Sequence, residues 1–142
     1  MRSLLQRLLI LLALSATPVM AADWVLVANP QSGIKALSQD EVVNIYLGRY
    51  RHLASGLTAE PIDQAADTPI RARFYRHLVN KNVAEINAYW SRLTFSGKTK
   101  PPRVATSSEQ ALQLVAHTQG ALAYIERSQV DARVVVVFEW PE

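Results

Sequence analysis

Helix and strand patterns alternate along this sequence, which predicts one α/β domain: a three-layer unit with a mixed sheet of about five strands and helices on both faces. Three observations carry that reading. Ser38 followed by Glu41 is a capping box that opens an amphipathic helical run. Thr68-Pro69 opens a second helix, with proline at the first helical position, where its missing N–H costs nothing. Val134 to Val137 is apolar on both faces, as a central or well-covered strand is.

Ahead of the domain, Arg2 and Arg7 flank the start of an apolar run from Leu8 to Leu14, and small residues lead to Val19-Met20-Ala21. This is the order of a cleavable export signal, and the apolar run is too short to span a bilayer. Cleavage is expected after Ala21, with Ala22 the alternative. Residues 1–21 are thus the signal peptide and 22–142 the domain, 121 residues of the 142 and enough for one core. The chain has no cysteine, so this exported fold is expected to stand without disulfides and without a lipid anchor.

Charge follows the same division. The whole chain carries 15 Lys+Arg and 12 Asp+Glu, and two of the arginines lie in the signal, leaving 13 against 12. That balance argues against a nucleic-acid binder. The cations do cluster, at Arg49 and Arg51, at Arg71, Arg73 and Arg76, and at Lys98, Lys100 and Arg103. Converging in space, they would build a local positive field for an anion; otherwise they are a solvated face.

Within the domain, Trp24 to Ala28 is a short apolar run that reads as a buried strand, ended by the turn residues Asn29-Pro30-Gln31-Ser32-Gly33. The helix capped by Ser38 turns Val42, Ile45 and Tyr46 inward and stops at Gly48. Arg49 to Thr58 is a loop, and Ala59 to Asp63 a short strand in which Pro61 suggests a sheet edge or an irregular start. In the helix begun by Thr68, Ile70, Phe74 and Leu78 share a face. Asn82 with Glu85 caps the next helix, with Val83, Ile86, Trp90 and Leu93 inward. After a loop from Thr94 to Pro102, Arg103 to Ala105 is a brief strand. Ser107 opens a helix with Ala111, Leu114 and Val115 inward, ended by Gly120. Ala121 to Ile125 and Arg133 to Trp140 are the last strands. Core packing is expected of Tyr46, Phe74, Tyr89 and Trp90, and a surface position of Tyr50, Tyr75 and Phe95.

Few residues suggest catalysis. His52, His77 and His117 are far apart and lack neighbours at metal-ligand spacing. Neither a phosphate-binding glycine loop nor a nucleophile elbow occurs. Asp63 and Asp67 lie four apart across an expected loop, which is weak ground for an acid–base pair. No cofactor, metal or enzyme activity is expected.

Leu37 to Arg49, which contains Ile45-Tyr46-Leu47-Gly48-Arg49, resembles the helix ending I-[FY]-L-G-[KR] of the periplasmic phosphate-binding proteins of ABC transporters. Gly120-Ala121-Leu122-Ala123-Tyr124-Ile125-Glu126 is similar to that family's G-A-I-G-Y-V-E strand, and the two pieces occur in the family's order. Small, exported, single-domain members of this substrate-binding class match best. The resemblance implies one lobe of a type II periplasmic binding protein, a periplasmic location, and phosphate or another small oxyanion as ligand. It also implies a membrane transporter as partner.

The chain departs from that family in three ways. It has room for one lobe, where the family closes two around its ligand. Aligned on Phe74, the family's S-G-T helix start becomes Thr68-Pro69-Ile70, and the arginine and aspartate that precede it are not kept in kind. The tryptophan after I-Y-L-G has no clear counterpart, with Tyr50 and His52 lying nearby. What remains is a helix N-terminus with its partial positive charge, the Thr68 hydroxyl, and Arg71 in the first turn. Thr68, Ile70, Arg71 and Arg73 are therefore the candidate oxyanion residues. Pro69 removes one donor, and Asp63 and Asp67 would repel an anion unless turned away. A second reading is a ligand-free interaction or regulatory module that keeps the fold and docks on a membrane sensor or envelope protein.

Overall fold

The computed structural model describes residues 23–140, so the expected export signal at 1–21 lies outside the described residues. Five strands and four helices follow in the order β1 (Trp24–Ala28), α1 (Gln39–Tyr46), β2 (Glu60–Gln64), α2 (Pro69–Val79), α3 (Val83–Phe95), β3 (Arg103–Ala105), α4 (Ser108–His117), β4 (Ala121–Glu126) and β5 (Val135–Glu139), with one 3₁₀ turn at Arg127–Gln129. The strands form one sheet in the order β3-β2-β4-β1-β5. β2 is parallel to β3 and β4, and β1 is antiparallel to β4 and β5. The sheet is mixed, and the carboxyl ends of β2, β3, β4 and β5 share one end with the start of β1.

Both faces are covered. Every residue of β1 is fully buried, which is why its sequence does not alternate. Trp24, Leu26 and Ala28 face a core built with α1, α2 and α3. Val25 and Val27 face a second core with Ala111, Leu112 and Val115 of α4. On the first face, Phe74 stacks on Tyr124 at 3.9 Å between centroids, with Trp24 and Tyr46 edge-on to it at 5.0 and 4.8 Å.

The caps behave as the sequence reads. Ser38 and Asn82 each complete a capping box, with Glu41 and Glu85, and the Ser107 hydroxyl accepts from the Gln110 N–H. Gly48 takes φ +74° just past α1. Gly120 is required by proximity: a Cβ there would lie 2.0 Å from the Thr58 carbonyl oxygen.

Two expectations resolve onto one of their alternatives, and two need correction. Of the two readings of Pro61 the irregular start holds, since β2 is interior to the sheet. Glu60 N–H reaches Gly120 O on the β4 side, so the nitrogen of Pro61 faces the β3 side, where pairing begins only at Ile62. Of the two readings of the valine run the well-covered strand holds: β5 lies at the sheet edge, and its valines are apolar on both faces because Val137 joins the first core and Val136 packs on the second. Tyr75 is fully buried, not on the surface. In α4 Leu112 is fully buried and Leu114 only partly, a shift of the inward stripe.

Candidate functional site

β2 delivers Asp63 and Gln64 to the carboxyl end of the sheet, and the chain turns through Ala65 to Thr68 into α2. Asp63 is 3% exposed, and its carboxylate is the centre of a buried network. One oxygen, Oδ2, accepts from Arg71 Nε at 3.3 Å and from the Tyr75 hydroxyl at 2.8 Å. The other, Oδ1, accepts from the Gln64 backbone N–H at 2.8 Å and from the Tyr124 hydroxyl. Four donors from a strand end, a helix and a neighbouring strand thus surround one carboxylate, which is how a buried charge is held.

Further hydrogen bonds fix those donors. Arg71 Nη2 donates to Asn87 Oδ1 on α3 at 3.1 Å, and its guanidinium lies 5.2 Å from the centre of the Tyr75 ring. Gln64 Nε2 donates to Ser108 Oγ and to Tyr124 O, both at 3.0 Å, tying β2 to the start of α4. The Tyr46 hydroxyl donates to Ile62 O and Leu122 O. Burial, and next the Asp63 charge, push the Tyr46, Tyr75 and Tyr124 phenols well above their ordinary range. They are neutral donors at any physiological pH. One strong donor remains: Arg71 Nη1 is buried and has no partner among the described residues.

The four residues singled out from sequence are separated by this arrangement. Arg71 is in the network. Thr68 stands at the N-cap of α2, but its hydroxyl donates back to Ala65 O at 2.7 Å and makes no side-chain cap bond. Ile70 is 3% exposed and packs in the first core. Arg73 is half-exposed and spans Asp23 at 2.8 Å and Glu126 at 3.6 Å. Asp67 is exposed, whereas Asp63 is turned inward onto Arg71.

Sequence reasoning missed the roles of Gln64, Asn87, Ser108 and Tyr124, and misjudged Tyr75. One signal was available: Asp63 ends a strand, Arg71 begins the next helix, and a short turn between them brings such a pair face to face. Asn87, Ser108 and Tyr124 come from elements remote in sequence, and only the sheet order brings them in.

The carboxyl end is matched charge for charge elsewhere too. Arg127 pairs with Glu139 at 2.7 Å, as Arg73 does with Asp23. At the opposite end of the sheet a cleft of about 640 Å³ opens between the ends of α1 and α3 and the start of β2.

No protein-family model and no curated protein matches the sequence. Solved structures do match in fold. A phosphate ABC transporter substrate-binding protein with bound phosphate from Clostridium perfringens superposes with TM-score 0.64 at 18% identity, over 81% of this chain and 44% of that one. An ABC-type phosphate transport receptor from Vibrio cholerae gives 0.65 at 16%, over 81% and 45%. PstS from Borrelia burgdorferi gives 0.56 at 9%, over 81% and 46%. The chain has the fold of one lobe of the phosphate-type periplasmic binding proteins, and it spans less than half the length of these neighbours.

Proposed function

We propose that this chain is an exported, periplasmic solute-binding lobe that takes phosphate or a similar small oxyanion at the carboxyl end of β2, and hands it to a membrane transporter. Its fold neighbours are solute-binding proteins rather than enzymes, and we read it likewise as non-catalytic. The observation that carries the ligand is Arg71 Nη1. A buried guanidinium nitrogen without a partner is costly, and in native proteins such groups are usually met by a water or an ion. Arg71 lies in the first turn of α2, where backbone N–H groups and the helix dipole favour negative charge. Thr68 and the Ile70 backbone N–H border that turn, whereas the charge of Arg73 is already taken up by Asp23 and Glu126.

One lobe tested by itself leaves its ligand open to solvent on one side. Affinity is therefore expected in the millimolar range, about −4 kcal/mol, unless a second copy or the transporter closes the cleft. Calorimetric titration with phosphate and with sulfate tests this. Saturable heat supports the reading, and no heat at millimolar anion with a folded protein sinks it.

One observation favours the alternative of a ligand-free interaction module. Asp63 already supplies the negative charge that Arg71, Tyr75, Tyr124 and the Gln64 N–H surround. On that reading the site is a structural lock. A periplasmic partner captured equally well by the Arg71→Met chain, together with a silent phosphate titration, would favour it.

A further inference from the structure

The two ends of the sheet differ in how their cations are satisfied. At the carboxyl end Arg71, Arg73 and Arg127 each face a carboxylate. At the amino end Arg51, Lys98 and Lys100 border the 640 Å³ cleft, no carboxylate lines it, and among the described residues none of the three has an ion-pair partner. Arg51 instead donates to Lys98 O at 2.8 Å, which holds the loop after α3 against the loop after α1.

The cleft is built rather than incidental. Gly48 is at φ +74°, and a Cβ there would lie 2.8 Å from Trp90 Cη2 and 3.2 Å from Thr99. The glycine therefore lets the Thr99 loop seat on the end of α1. Leu47 O accepts from the Tyr89 hydroxyl at 2.6 Å, tying α1 to α3 beside it. Ile45, Ala59 and Pro61 give the cleft an apolar floor, and Tyr50 stands half-exposed at its rim. Thr58, Thr94 and Thr99 are the hydroxyl-bearing residues of its lining besides Tyr50. The volume lies within the roughly 300–1,000 Å³ of small-molecule sites, and an apolar floor with a few polar and charged groups is their usual chemistry.

We infer that this cleft is a second binding site, for a small amphipathic anion: an apolar body on Ile45, Ala59 and Pro61, with a carboxylate or phosphate head between Arg51, Lys98 and Lys100. An inorganic oxyanion fits it poorly, because it would leave the apolar floor wet. A neutral apolar molecule fits poorly, because it would leave three cations unmatched. The site lies at the opposite end of the sheet from Arg71, so it does not depend on the oxyanion reading.

The test is a titration of the isotopically labelled chain, followed by backbone amide NMR, with octanoate, octanol and inorganic phosphate as probes. Octanoate is expected to shift Gly48, Thr94, Gly97 and Thr99 saturably, with a dissociation constant on the order of millimolar. Octanol and phosphate are expected to shift these amides much less, and Lys98→Glu/Lys100→Glu to weaken octanoate by about tenfold. Phosphate shifts confined to the start of α2 would leave this proposal standing. It is overturned if octanoate gives no saturable shift there, if octanol or phosphate does as well, or if the charge-reversed chain binds octanoate unchanged.

Discussion

Asp63 shows how one side chain can set the character of a site. A carboxylate only 3% exposed is tolerable because four donors meet it, and Arg71, 6% exposed, is tolerable because the carboxylate is there. Removing one charge strands the other. Asp63→Asn is expected to lower the unfolding free energy by about 3–5 kcal/mol in urea denaturation. The double change Asp63→Asn/Arg71→Met, which removes both charges, is expected to recover most of that loss. A double variant whose loss equals the sum of the Asp63→Asn and Arg71→Met losses would mean the pair is not coupled. Tyr124→Phe removes one donor to a charged acceptor and should cost about 2 kcal/mol by the same measurement.

Among the elements, local chemistry settled where helices begin and tertiary order settled what they face. The capping boxes at Ser38 and Asn82, the Pro69 start and the Gly48 stop were readable because each is completed within four residues of itself. Strand position was not. Pro61 allows an edge or an irregular start, and only the sheet order shows an interior strand whose missing N–H falls where β3 has not begun. The valine run allows a central or a well-covered strand, and it is an edge covered on both faces. The candidate site was half-legible for the same reason. Arg71 could be read from the helix start, whereas Tyr75 meets Asp63 through the packing of α2 on β2, and Tyr124 meets it through the pairing of β4 with β2. Two alanine substitutions probe the element contacts. Gly120→Ala should cost about 3 kcal/mol in thermal or urea unfolding, since backbone cannot move aside as a side chain can. Ser38→Ala, which loses only a cap, should cost about 1 kcal/mol. A Gly120→Ala chain as stable as the parent would contradict the β4–Thr58 approach.

At the scale of the whole molecule, pH reports how tightly the network is sealed. Tyr46, Tyr75 and Tyr124 have folded-state phenol pKa values above the ordinary 10.0, so above that pH the unfolded chain binds fewer protons than the folded one. Stability contributed by these groups is present below pH 10 and falls as pH rises beyond it. Three of the five tyrosines should therefore ionise only as the fold is lost, with their phenolate absorbance rising together with the loss of circular dichroism. Phenolate signal from all five before unfolding would contradict a sealed site. On the acid side, the surface cluster of Arg133 with Asp131 and Glu109 lowers both carboxyl values, so its contribution is present above the ordinary carboxyl range and is lost as pH falls below it.

The central claim is that a single lobe of phosphate-binding fold still holds an oxyanion through Arg71. Calorimetric titration of phosphate into the chain, beside the charge-neutral Asp63→Asn/Arg71→Met variant, tests it most directly. The account predicts saturable heat with a dissociation constant on the order of millimolar for the parent, and none for a folded variant. No heat from the parent, or the same heat from both, would contradict it.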